Sequence, residues 1–198
     1  MKRLILFNEP NDLVMPGIKR LLFPDELENK KVAYMPSDGS VNKHEYTDMW
    51  EKICQEHSAD FHYINNSKEG SEAENEIEKM LDCNILIITG GNTFTLLRNL
   101  RRSGMFEAIK EFAEKKEFVI AGFSAGAIVL TPCICTSGIK GADVNGVGIK
   151  DLSALGLVDF EFFAHYGSEW KEAADEYEKD CSHELRRVGN NEYIVVEL

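Results

Sequence analysis

Glu117-Phe118-Val119-Ile120-Ala121-Gly122-Phe123-Ser124-Ala125-Gly126-Ala127-Ile128-Val129-Leu130 is the stretch on which the fold turns. Glu117–Ala121 opens it as a strand whose apolar residues run on without alternation, the pattern of a strand covered on both faces. Ala127–Leu130 closes it as a helix-compatible run. Between them stands G-x-S-x-G, which in a strand-to-helix context makes a tight elbow with the serine at its apex. Glycine is required on either side of the bend, because larger side chains would meet the adjacent backbone. The elbow also places Ser124 at a helix N-terminus and leaves the Ala125 N–H free to stabilise an oxyanion. In the plainer alternative the serine only caps the helix.

Working outward, the same grammar repeats. Ile85–Thr89 is another continuously apolar strand, and it runs into Gly90-Gly91-Asn92-Thr93-Phe94 before a helix. Ligands of open parallel sheets bind at the carboxyl ends of the strands, so two such turns are expected to meet at one crevice. There Gly91 supplies a second oxyanion N–H, while Asn92 and Thr93 either orient substrate or cap the helix. Further strands are expected at Arg3–Phe7, Lys31–Met35, Asp60–Ile64 and Tyr193–Val196. Helices are expected over Asn42–His57, from a capping box at Ser71-Glu72-Ala73-Glu74, over Thr93–Arg102 and Met105–Lys115 with a break at Gly104, and around Trp170–Tyr177 with Ser168 as its cap. Strands alternating with helices give an α/β fold, a three-layer α/β/α sandwich with a mostly parallel sheet. No repeat or linker divides the chain, so residues 1–198 are expected to form one domain. Asn65–Asn75 reads as a solvated loop, and Gly138–Gly148, with four glycines, as a mobile one.

Composition limits the partners. The 198 residues carry 34 acidic against 22 basic side chains and a net charge of −12, which disfavours nucleic acid and anionic membrane surfaces. The apolar start Leu4–Phe7 halts at Asn8-Glu9-Pro10, too short for a secretory signal, and no run reaches the ~18 apolar residues of a membrane span. The five cysteines include no C-x-x-C pair and read as small buried hydrophobes in a reducing cytoplasm. No metal or cofactor is expected.

A nucleophilic serine needs a base. His44 and His57 fall on a polar helix face, His62 in a short strand, and His183 in a charged segment. His165 ends the apolar run Phe160–Ala164 and precedes the turn Tyr166-Gly167-Ser168, a position from which an imidazole can reach the elbow and exchange a proton near neutral pH.

Gly90-Gly91-Asn92-Thr93-Phe94-x-Leu96-Leu97, then Gly122-x-Ser124-Ala125-Gly126-Ala127, then a histidine after an apolar segment, together resemble the peptidase E family of serine peptidases, which includes aspartyl dipeptidases and, more distantly, cyanophycinases. The resemblance runs from the first strand to the last. It implies a class I glutamine amidotransferase-like fold, Ser124 as nucleophile, His165 as base, and an oxyanion hole at Gly91 and Ala125. The third member implied is an acid in the loop Val188-Gly189-Asn190-Asn191-Glu192-Tyr193. Glu192 is the nearest acid, while the family position falls nearer Asn190; either the loop brings Glu192 to His165, or an asparagine orients the imidazole. The arginine with which aspartyl dipeptidases read the substrate carboxylate has no clear counterpart. Lys171, Lys179, Arg186 and Arg187 read as a solvated helix face, so aspartyl specificity does not transfer. The expected activity is cofactor-independent hydrolysis of small peptides. An esterase using the same site, or a catalytically silent binding protein on this scaffold, stands as the alternative. The partner is a small peptide, and a homodimer is left open beside a monomer.

Overall fold

The computed structural model describes residues 1–39, 45–139, 141 and 143–198. Six strands form the main sheet: β1 (Lys2–Phe7), β2 (Lys31–Met35), β3 (Asp60–Tyr63), β4 (Ile85–Ile88), β5 (Phe118–Phe123) and β8 (Tyr193–Glu197), in the order β3-β2-β4-β5-β1-β8. All neighbours pair in parallel except β8, which runs antiparallel to β1 at one edge. The continuously apolar β4 and β5 are central and buried at every position, as expected of strands with helices on both sides.

Strand periodicity sorts the core into two layers. Leu4, Leu6, Ala33, Met35, Leu86, Ile88 and Ile120 face a cluster with α3 (Ser71–Leu81), α4 (Thr93–Ser103), α5 (Met105–Glu114) and α6 (Ala125–Val129). Ile5, Phe7, Val32, Tyr34, Ile85, Ile87, Val119 and Ala121 face α1 (Met15–Leu22) and α2 (Glu45–Glu56). The result is a three-layer α/β/α sandwich. Helix α1 has no counterpart among the expected elements: it spans only eight residues and begins Met15-Pro16-Gly17, a weak helical sequence made regular by packing Ile18 and Leu22 on the sheet.

A second, two-stranded parallel sheet was not foreseen. It pairs β6 (Phe160–Phe163) with β7 (Glu184–Arg187) and packs Phe163 and Leu185 against Ala174 of α7 (Lys171–Glu178). Arg186 and Arg187 therefore lie on a strand rather than a helix face. Both are ion-paired, Arg186 with Glu184 and Arg187 with Asp175 and Glu178.

Other local expectations are corrected by backbone geometry. Ser71 is the first helical residue, after Gly70 at φ 58°, and no side chain caps α3. Ser168 opens a 3₁₀ turn and likewise caps nothing. Gly104 does break α4 from α5, at φ 81°. Cys133 and Cys135 are not buried thiols: both are half-buried and joined in a disulfide, whereas Cys54 and Cys83 are buried and free. Asn65 and Asn66 are not solvated but buried, where the Asn66 Nδ2 donates to Pro36 O at 2.7 Å and the Asn99 Nδ2 donates to Asn66 Oδ1. Within the glycine-rich stretch, Asp143 and Val144 are tied to the start of α4 by hydrogen bonds. His44 lies outside the described residues. Among the described residues no helix is long and apolar enough to cross a membrane.

Candidate active site

The elbow forms where β5 ends. Ser124 has φ 50° and ψ −114°, a conformation that costs an L-residue on the order of 1–3 kcal/mol and must be held by its surroundings. Two glycines permit it. A Cβ on Gly122 would collide with the Gly126 carbonyl, and one on Gly126 with the Ile88 carbonyl of the neighbouring strand. The Ser124 N–H donates to Phe7 O at 2.9 Å, which pins the bend to β1. The Ala127 and Ile128 N–H groups both donate to Ser124 O, so the ladder of α6 begins beyond the Ala125 N–H.

His165 arrives from β6, two residues past Phe163, also with positive φ, 51°. Its Nε2 lies 3.1 Å from Ser124 Oγ. Its Nδ1 lies 2.7 Å from Asn190 Oδ1 in the loop before β8. An amide oxygen at that distance accepts an N–H, which assigns the proton to Nδ1 and leaves Nε2 as the acceptor for the serine hydroxyl. Glu192, expected as the third member, is elsewhere: its Oε2 accepts from the Gly189 N–H at 2.8 Å and stabilises the turn that presents Asn190. Of the two options the loop left open, the asparagine meets the imidazole. The tight turn Gly189–Glu192, closed by a backbone bond from Glu192 to Gly189 O, directs the two side chains differently.

Asn8, just beyond β1, has no place among the sequence expectations and positions His165. Its side chain is 1% exposed. Oδ1 accepts from the His165 backbone N–H at 2.8 Å, while Nδ2 donates to the carbonyls of Val188 and Gly189 at 2.9 and 2.7 Å. One amide thus fixes both the strained histidine backbone and the loop that carries Asn190. The only hint in the sequence was a polar residue closing an apolar strand.

A cleft of about 340 Å³ opens beside Ser124 and His165, bounded by Asn8, Glu9, Tyr34, Ser37, Gly91 and Phe123 among others. It lies at the carboxyl ends of β1, β2, β4 and β5, where the two glycine turns were expected to meet. Burial pushes the Tyr34 phenol above its ordinary value, so it stays a neutral hydrogen-bonding wall. Gly91, at φ 138°, has no room for a side chain, since a Cβ would strike Ser37 Oγ. Asn92 and Thr93, expected as substrate contacts or caps, act as structure. The Asn92 Oδ1 caps α4 at Thr95 N and its Nδ2 donates to Val144 O. Thr93 is fully buried and donates through N and Oγ1 to Asp143 Oδ2 at 2.9 and 2.5 Å.

The other described histidines lie elsewhere. His57 stacks on Phe23, His62 lies in β3 with a buried Nε2, and His183 sits beside Glu161. Lys171 and Lys179 pair with Asp175 and Glu176. No lysine or arginine is among the described residues that bound the cleft.

A serine on a strand-to-helix elbow, hydrogen-bonded to an imidazole held by a third polar residue, on a three-layer α/β/α sandwich, defines a serine-type hydrolase. The chain belongs to peptidase family S51, whose model matches residues 11–196, and it is a serine-type peptidase. It is 30% identical over 171 residues to an uncharacterised peptidase of Listeria monocytogenes, covering 85% of this chain and 80% of that one. It is 32% identical to peptidase E of Citrobacter koseri over 90 residues, 46% of this chain and 37% of that one. A crystal structure from Listeria monocytogenes, described as a peptidase E protein, superposes with a TM-score of 0.75 at 27% identity, covering 99% of this chain and 94% of that one. A peptidase from an acI-B1 actinobacterium shares the fold, with a TM-score of 0.70 at 14% identity over 99% of this chain and 83% of that one.

Proposed function

We propose that this chain, as one domain over residues 1–198, hydrolyses small peptides in the cytoplasm with Ser124 as nucleophile and His165 as general base. The observation that carries the assignment is the 3.1 Å approach of His165 Nε2 to Ser124 Oγ, with Nδ1 engaged by Asn190 on the far side. Ser124 Oγ attacks the peptide carbonyl as its proton passes to Nε2. The N–H groups of Ala125 and Gly91 receive the developing oxyanion, each worth roughly 10²–10³ in rate. The imidazolium then protonates the leaving amine, and water, activated by the same Nε2, releases the acyl group. The position of the cleft at the carboxyl ends of the strands supports a small substrate.

The test is labelling by a fluorophosphonate probe. Stoichiometric modification of Ser124, lost in Ser124→Ala and in His165→Ala, is the expected result. Absence of labelling in the folded wild-type protein would assign a silent scaffold instead.

Asn190 favours a second reading, hydrolysis of esters. An amide orients the imidazole but adds no charge to stabilise the imidazolium, and esters, with better leaving groups, demand less of it. Matched ester and dipeptide substrates separate the two activities.

A further inference from the structure

Ser124 and His165 also border a second, much smaller space lined by other residues than the cleft. This chamber holds about 70 Å³, room for about two water molecules at their ~30 Å³ share of liquid. Its walls are Ile128, Thr136, Ser137, Asp143, Phe163 and Ala164. Ile128, Thr136, Ser137 and Phe163 are all buried, whereas the cleft is bounded by exposed groups such as Asp38, Tyr46 and Gly91. The leaving amine has to depart before water can attack the acyl-enzyme, and the larger, exposed cleft gives it the way out. The acyl residue stays bound to Ser124, and a small buried space beside the nucleophile suits its side chain.

Two polar groups define what that space accepts. Ser137 is 6% exposed, and its Oγ is buried with no hydrogen-bond partner among the described residues. Such orphans are rare, and each costs free energy unless something supplies the missing bond. Thr136, its neighbour in the same turn, is by contrast satisfied, donating to Phe162 O at 2.9 Å. Asp143 presents a carboxylate, with Oδ2 fixed by Thr93. No lysine or arginine is among the described residues of the chamber, so a second carboxylate entering it would meet a like charge with no counter-ion among those residues.

We propose that this chamber is the side-chain subsite for the residue whose carbonyl Ser124 attacks, and that Ser137 and Asp143 make it selective for a small hydroxyl-bearing residue, serine foremost. A seryl hydroxyl donates to Asp143 and accepts from Ser137 Oγ, completing the bond the fold leaves unmade. Alanine fits but forgoes both interactions. Leucine exceeds the volume, and aspartate brings the like charge. The assignment rests on the peptidase reading of Ser124.

The test compares kcat/KM for the p-nitroanilides of serine, alanine, aspartate and leucine, each with a free amino group, on the wild-type chain, Ser137→Ala and Asp143→Asn. Serine is expected to exceed alanine about tenfold, as a neutral hydrogen bond formed on binding would give, and aspartate and leucine by a hundredfold or more. Ser137→Ala lowers the serine-to-alanine ratio severalfold, the remainder being the bond to Asp143. Asp143→Asn narrows the serine-to-aspartate ratio. Fluorophosphonate labelling of Ser124 and thermal melting of each variant separate a lost subsite from a lost fold. A preference for aspartate or leucine, or a serine-to-alanine ratio that Ser137→Ala leaves unchanged, overturns the subsite. So does labelling of Ser124 without turnover of any of the four. Absence of both labelling and turnover overturns the peptidase reading itself.

Discussion

Replacing Asn190 by aspartate should make this enzyme faster. In a serine protease the opposite change, carboxylate to amide, costs on the order of 10⁴ in turnover, in large part because the amide imposes the wrong tautomer. Here Asn190 Oδ1 already faces Nδ1 at 2.7 Å, so the tautomer is right and only the charge is missing. A carboxylate at this contact would place unit charges ~4 Å apart, worth ~1 kcal/mol in bulk water and ~4 kcal/mol at an effective dielectric of 20. Asn190 is exposed, which puts the gain near the lower end, ~1–2 kcal/mol, or about 5–30-fold in kcat. The acidic limb of the pH–rate profile should also move to higher pH in Asn190→Asp, because a carboxylate favours the imidazolium. Glu192→Gln keeps an acceptor for the Gly189 N–H and should change kcat less than threefold. The assay is steady-state hydrolysis of a chromogenic peptide by wild type, Asn190→Asp and Glu192→Gln, each checked by thermal melting. An Asn190→Asp enzyme that melts like wild type but is no faster, or a Glu192→Gln enzyme that loses most of its activity, would refute the assignment of Asn190.

Asn8→Ala should lower kcat about a hundredfold, since misplacing the base by ~1 Å is enough for that, and should cost ~2–4 kcal/mol of stability by orphaning the His165 N–H and two carbonyls; kinetics and denaturant titration read both. Gly126→Ala should destabilise the fold by at least ~3 kcal/mol, lowering Tm by about 6–12 °C, because the added carbon meets the Ile88 carbonyl; a melting curve like that of wild type would contradict the elbow packing. Burial pushes the Cys54 thiol up to about 12 and the Cys83 thiol up to about 11. A folded value raised above the unfolded ~8.5 means stability that is complete below ~8.5 and is lost as pH climbs through 11 and 12. Tm should therefore fall between pH 9 and 11, and neither thiol should react with a disulfide reagent at pH 8 until the chain is unfolded.

Chain order and local chemistry were enough for the architecture and for half of the site. Ile85–Ile88 and Phe118–Phe123 announce buried strands because every residue is apolar, and Gly122 and Gly126 announce the elbow because nothing larger fits there. These are statements about neighbours along the chain, and Ser124 followed from them directly. The expected capping box at Ser71 failed for a related reason: a cap depends on the backbone angles of one residue, and Gly70 at φ 58° had already opened the helix.

What only the tertiary structure decided involves partners far apart in sequence. Asn8 and His165 are 157 positions apart, and Ser124 and His165 are 41 apart. Nothing local tells Asn190 from Glu192, two polar residues in one short turn. The pairing of β8 beside β1 and the closure of the Gly189–Glu192 turn aim one side chain at the imidazole and fold the other back on its own backbone. The orphaned hydroxyl of Ser137 is hidden in the same way, because a serine looks alike in sequence whether or not the packed chain leaves it a partner. Periodicity and turn chemistry are properties of a segment, and they determined the sandwich and its serine elbow. Side-chain direction and burial in loops exist only once the segments have packed, and those fixed the place of His165, the residues that hold it and the shape of the space beside it.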